Sequence, residues 1–149
     1  MTKTVLVLGA RGRFGLAAAR AFAAAGWRVV GQMRPDAVPP AAPGIEWRGV
    51  DMQDTAALAA AAVGASVVVH ALNPTAYTNA AWQAEAGPLL TATIALSRKL
   101  DATLMLPGNV YNFGKDMPAL LREDTLQQAH TVKGRVRVCL LYTSPSPRD

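Results

Sequence analysis

Eleven residues near the start of the chain, VLVLGARGRFG from Val5 to Gly15, constrain the fold more than any others. A β-branched apolar run, Thr4 to Leu8, ends in Gly9, and Gly12 and Gly15 follow at three-residue spacing. A run apolar on both faces reads as a central parallel strand. Gly12 to Ala25 is alanine-rich, with Leu16 and Phe22 as larger apolar residues, and reads as a helix stopped by Gly26. Strand, glycine turn and helix in that order make a cradle for a diphosphate. Gly9 turns the chain sharply, Gly12 lets backbone approach the anion, and Gly15 lets the helix pack closely on the strand. The helix N-terminus adds free N–H groups and positive potential.

The rest of the chain keeps alternating. Trp27 to Met33 reads as a second strand, and the four prolines of RPDAVPPAAPG require a loop. Ile45 to Val50 is an amphipathic third strand. Asp54 is placed to cap a helix with body ALAAAAV, closed by Gly64, and Ser66 to Ala71 forms a fourth strand. After Asn73 and Pro74, a helical stretch from Tyr77 to Ala86 is expected to break at Gly87-Pro88. A second helix then starts at Pro88 and runs to Leu100. Ala102 to Leu106 is a fifth strand stopped by Pro107-Gly108. Asn109 to Gln128 reads as loop with one short helix, and Thr131 to Val138 opens another helix. This β-α-β-β-α-β-α-β order predicts an α/β fold, a doubly wound parallel (Rossmann) sheet in the order 3-2-1-4-5.

Composition narrows the function classes. Half of the 149 residues are hydrophobic (51%), enough for a real core in one domain. The net charge of +5 is spread thinly, with arginines at 11, 13, 20, 28, 34 and 48. No run of five like charges occurs and no aromatics interleave with basic residues, so nucleic acid ranks last among the partners considered. No segment reaches the length of a membrane span or a signal peptide, and a cytoplasmic location is expected. The single cysteine, Cys139, has no partner for an internal disulfide, and no Cys/His cluster has metal-ligand spacing.

The last eleven residues, CLLYTSPSPRD from Cys139 to Asp149, coincide with a translation of the transposon-end adapter used in sequencing libraries. They are expected to be a non-native tail. The natural dinucleotide-binding domain then covers residues 1–138 and continues into a longer protein, truncated here before its substrate domain.

The end of the second strand chooses between the two nicotinamide dinucleotides. An acid there binds the ribose 2′-hydroxyl of NAD, whereas arginine favours the 2′-phosphate of NADP. GQMRPD places Arg34 at that point, with Arg11 in the glycine turn and Asp36 two residues late. NADP is therefore expected over NAD.

With these motifs in place, the sequence resembles an extended or atypical short-chain dehydrogenase/reductase, nearest the sugar-nucleotide epimerase/dehydratase group, over residues 3–138. Gly9, Gly12 and Gly15 match that family's turn, which brings Arg11, Arg13 and Phe14 to the cofactor. Asp51, followed by Met52, matches the aspartate that contacts adenine. HALN, with Ala71, Leu72 and Asn73 after His70, matches the backbone lying along the cofactor. Val110 and Tyr111 match part of the family's V-Y-G segment.

The catalytic signature departs from the pattern. Pro107 stands where relatives carry Ser or Thr, and Lys133 and Arg137 fall at the positions of Tyr-x-x-x-Lys. That pair matters because lysine lowers the tyrosine pKa so that the phenol can move a proton during hydride transfer. The literal Y-x-x-x-K from Tyr111 to Lys115 contains Gly114 and precedes Pro118, which argues against a helix presenting both side chains. Asn109 and Tyr111 are the remaining catalytic candidates. His70 reads as a strand-end histidine with a satisfied hydrogen bond.

The resemblance implies an NADP-dependent oxidoreductase or epimerase acting on a sugar nucleotide or small carbonyl compound. The alternative is a non-catalytic NADP-binding sensor or interaction protein. A small-molecule substrate is expected for the full-length protein, no membrane partner is expected, and a homodimer is left open.

Overall fold

The computed structural model describes residues 2–143. The chain divides into two compact units, Met1–Asn73 with Thr91–Pro107 and Pro74–Leu90 with Gly108–Asp149. The first unit holds a sheet of strands β1 (Thr4–Leu8), β2 (Arg28–Met33), β3 (Ile45–Gly49), β4 (Ala65–His70) and β5 (Thr103–Met105). Every pairing is parallel and the order is β3-β2-β1-β4-β5. This is the doubly wound arrangement that the alternation of elements predicts.

Period-two alternation splits β1 between two cores. Leu6 and Leu8 join Val30, Leu58, Val68 and Leu96 on one face. Val5 and Val7 join Ala19, Val29, Ile45 and Val69 on the other. All five β1 residues are buried, as a central strand covered on both faces requires. Helix α1 (Arg13–Ala24) supplies Ala19, Leu16 and Phe22 to the second core. Helix α2 (Thr55–Ala61) supplies Leu58 to the first, and its N-cap Asp54 accepts from the Ala57 amide at 2.9 Å, as the sequence predicts.

Helix α3 runs further than the sequence suggests. Helix α3 spans Asn79–Lys99 without interruption, with Pro88 inside it, where a break at Gly87-Pro88 was expected. Proline removes one i to i−4 hydrogen bond and crowds the carbonyl four residues back. The helix persists because one buried stripe crosses the defect: Trp82, Ala86, Leu90, Ile94 and Ser97 recur at helical spacing. Helix α4 spans Val132–Thr143, so the helix expected to open over Thr131 to Val138 is present and continues past Val138. Of the adapter-like stretch, 139–143 thus close this helix, and residues 144–149 lie outside the described residues.

In the second unit a 3-10 turn, Val110–Asn112, precedes α4. A Cβ on Gly134 of α4 would meet the Tyr111 carbonyl oxygen at 2.5 Å, so the helix backbone lies directly on that turn. Thr131 starts α4 by accepting from the Gly134 amide through Oγ1 at 3.0 Å. Among the described residues, no helix is long and apolar enough to cross a membrane.

Pro88 is exposed, so replacing it costs little packing. Pro88→Ala is expected to raise stability by about 1–3 kcal/mol, close to the penalty of proline in a helix interior. Urea denaturation followed by far-UV circular dichroism checks this.

Candidate functional site

The three glycines of the turn serve different ends. Gly9 leaves β1 with φ +70°, and a Cβ there would lie 2.7 Å from the Ala71 carbonyl oxygen and 3.2 Å from Leu72 Cδ2. A Cβ on Gly15 would overlap the Gly9 carbonyl oxygen and approach Ala10 Cα to 2.9 Å. The fold itself demands glycine at both places. Gly12 differs. It is exposed, in extended geometry (φ −69°, ψ 163°), and a Cβ would meet only the Gly9 carbonyl oxygen at 3.3 Å. Bare backbone at Gly12 is left open to solvent.

Gly12 is also the N-cap of α1, and its lack of a side chain leaves the helix without a side-chain cap. No acidic residue occupies the first turn, and Arg11 and Arg13 stand exposed there. Helix dipoles favour negative charge at this end, so basic residues here break the usual rule. An anion accepting from the first-turn amides satisfies both the amides and the charges.

The other expected binding residues take varied positions. Gly9, Gly15, Ala71 and Leu72 come together, with the Ala71 amide bonded to the Leu8 carbonyl at 3.0 Å. Arg34, just beyond β2, Asp36, Phe14 and Asn73 are exposed. Asp51 accepts from the Gln53 amide at 2.8 Å through Oδ1, which shapes the turn after β3. Met52 places its side chain in the core with Leu6 and Leu58, so only its backbone is available to a ligand. His70 is buried, with Nδ1 2.8 Å from Thr93 Oγ1, the satisfied strand-end histidine expected from sequence. No group of His, Cys, Asp or Glu suited to a metal ion occurs among the described residues.

Sequence reasoning missed Gln32. Its side chain is 3% exposed and accepts from the Gly9 amide at 2.9 Å. The available signal was a polar residue inside the apolar strand VVGQM.

The catalytic candidates belong to the second unit. Asn109 caps the 3-10 turn, its Oδ1 accepting from the Tyr111 amide at 3.1 Å. The Tyr111 hydroxyl lies 3.1 Å from that of Tyr77. Lys133 donates to the Tyr77 carbonyl at 2.9 Å, with Nζ 3.4 Å from the ring centroid, and the Arg137 guanidinium covers the Trp82 ring at 4.9 Å. The hydrogen bond to Tyr77 pushes the Tyr111 phenol above its ordinary pKa, while the charges of Lys133 and Arg137 oppose that rise. Burial lowers the pKa of Arg137. Tyr111 and Lys115 do not share a helix: Gly114, between them, has φ +80°.

No protein-family model and no curated protein matches the sequence. Solved structures match its fold. UDP-glucose 4-epimerase from Brucella ovis in complex with NAD aligns with a TM-score of 0.76 at 17% identity, over 95% of this chain and 46% of that one. UDP-N-acetylglucosamine 4-epimerase from Bacillus cereus gives 0.74 at 12%, over 95% and 49%. The Bordetella bronchiseptica enzyme WbmG, in complex with NAD and UDP, gives 0.73 at 15%, over 99% and 51%. The chain has a Rossmann fold, shared with these three structures. It spans about half the length of each of these proteins.

The two kinds of glycine separate by experiment. Gly9→Ala is expected to destabilise the fold by roughly 1–3 kcal/mol, because a Cβ there is strained and meets backbone. Gly12→Ala is expected to change stability by less than about 1 kcal/mol. Thermal melts of the two variants check this.

Proposed function

We propose that this chain is the cofactor-binding half of an NADP-dependent oxidoreductase or epimerase of the extended short-chain type. The observation that carries the reading is Gly12, bare and exposed at an uncapped helix N-terminus beside two arginines, with little inside the fold requiring it. The residues present fit a dinucleotide. The first-turn amides of α1, from Arg13 to Gly15, would hold the diphosphate, and Ala71, Leu72 and Asn73 would lie along the cofactor. Asp51 and the Met52 backbone would border adenine, and Arg34 with Arg11 would take the 2′-phosphate. When bound, the dinucleotide supplies hydride chemistry at its nicotinamide ring.

Tyr111 is proposed as the residue that gives a proton to a substrate oxygen, with Asn109 fixing the turn that carries it. A phenol is protonated at neutral pH, and the hydrogen bond to Tyr77 acts in the same direction. That suits a hydrogen-bond donor to a carbonyl oxygen better than a base. The substrate proposed is a carbonyl compound, a sugar nucleotide or a smaller molecule. Substrate contacts and turnover are assigned to the longer protein. The boundary at residue 138 and a cytoplasmic location belong to the same proposal. A non-catalytic NADP sensor is the second reading, favoured by Pro107, Lys133 and Arg137 at the positions of the family's Ser, Tyr and Lys.

Titration calorimetry tests the cofactor assignment. NADP is expected to bind at least about tenfold more tightly than NAD, a gap of about 1.4 kcal/mol. Arg34→Ala is expected to erase that gap by weakening NADP alone, and Gly12→Val to abolish binding of both while the chain stays folded, at a stability cost of about 1–2 kcal/mol. Tighter binding of NAD than NADP by the unaltered chain refutes the NADP assignment. In the full-length protein, hydride transfer that survives Tyr111→Phe unchanged refutes the role given to Tyr111.

A further inference from the structure

Gln32 acts on the glycine turn twice. Through its main chain, its carbonyl accepts from the Ala10 amide at 2.9 Å, which fixes the peptide between Gly9 and Ala10. Through its side chain, Oε1 accepts from the Gly9 amide at 2.9 Å, which fixes the peptide between Leu8 and Gly9. One residue thereby pins two consecutive peptide planes. The plane between Gly9 and Ala10 carries the Gly9 carbonyl, which accepts from the Gly12 amide at 2.9 Å and against which Gly15 packs.

The other end of the carboxamide faces the opposite way. Nε2 donates to the Met33 carbonyl at 3.0 Å and to the Val50 carbonyl at 2.7 Å, tying together the strand ends from which Arg34 and Asp51 emerge. With one acceptor facing an N–H and two donors facing carbonyls, the amide has a single satisfactory orientation. Few side chains meet these demands. Ionised glutamate has no donor, asparagine is one methylene short, and an apolar residue removes the side-chain partners of the Gly9 amide and the Val50 carbonyl.

Resting on the proposed dinucleotide function, we infer that Gln32 is a positioning residue for that site. It orients the diphosphate turn by bonding Gly9 and couples the turn to the ends of β2 and β3. Its contribution to binding is pre-organisation of the turn, without contact with the ligand.

The test compares the unaltered chain with Gln32→Met, which keeps length and removes polarity. Amide hydrogen exchange by NMR is read at Gly9 and at the sheet amides of Val7 and Val30, and NADP affinity is read by calorimetry. The expected result is Gly9 exchange faster by at least about tenfold with Val7 and Val30 unchanged, and NADP affinity weaker by about tenfold. Unchanged Gly9 exchange, exchange rising equally at all three amides, or NADP affinity within about twofold of the unaltered chain overturns the inference. Should Gln32→Met not fold, Gln32→Asn carries the same comparison, since it keeps the amide but falls short of Gly9. If the unaltered chain binds neither dinucleotide, the proposed function fails. Selective Gly9 exchange then still supports Gln32 as the device that orients the turn.

Discussion

The first unit depends on how closely the start of α1 approaches the end of β1. Gly15 lies so near the Gly9 carbonyl that a single methyl group would overlap it, and Gly9 itself lies against the Ala71 carbonyl at the end of β4. This packing fixes the start of α1 against the end of β1 and leaves Gly12 exposed. The two cores support the same geometry from below, with Leu6 and Leu8 on one face and Val5 and Val7 on the other. Electrostatics at the helix mouth are unbalanced by comparison. Arg11 and Arg13 stand where a dipole prefers acids, a local conflict of the kind that proteins retain at binding sites.

The second unit organises its charges around aromatic rings. Lys133 and Arg137, one turn apart on α4, each cover a ring, those of Tyr77 and Trp82, and the two rings meet edge to face at 6.1 Å. The phenols beside them come from outside α4, from the segments holding Tyr77 and Tyr111. Cation and phenol are still neighbours, but the connection runs through a ring face and a hydroxyl pair. That geometry raises the Tyr111 pKa through its hydrogen bond, opposite in sign to the activation a lysine beside a tyrosine provides.

The fold was legible because its signals are local and periodic. Apolar strands, alanine-rich helices and glycine punctuation located each element, and the Asp54 cap matched residue by residue. Pro88 misled because its local penalty is outweighed by the buried stripe from Trp82 to Ser97, which no dipeptide signal contains. The turn was readable because glycine spacing encodes it. Gln32 was not, because its role depends on Gly9 and Val50, which are 23 and 18 residues away. The Tyr77–Lys133 contact joins residues 56 positions apart, and only tertiary structure brings them together. Met52 shows the converse: its place after Asp51 suggested a ligand contact, while its side chain serves the core.

The tryptophans are divided between the two units. Trp27, edge to face with Phe22 and beneath the Lys3 ammonium, and Trp47 on β3 both belong to the first unit, whereas Trp82 belongs to the second. Ultraviolet emission from the chain is therefore a sum of separable signals. Replacing Trp27 and Trp47 with phenylalanine leaves a lone fluorophore stacked on a guanidinium, an optical probe for one unit with the other kept dark.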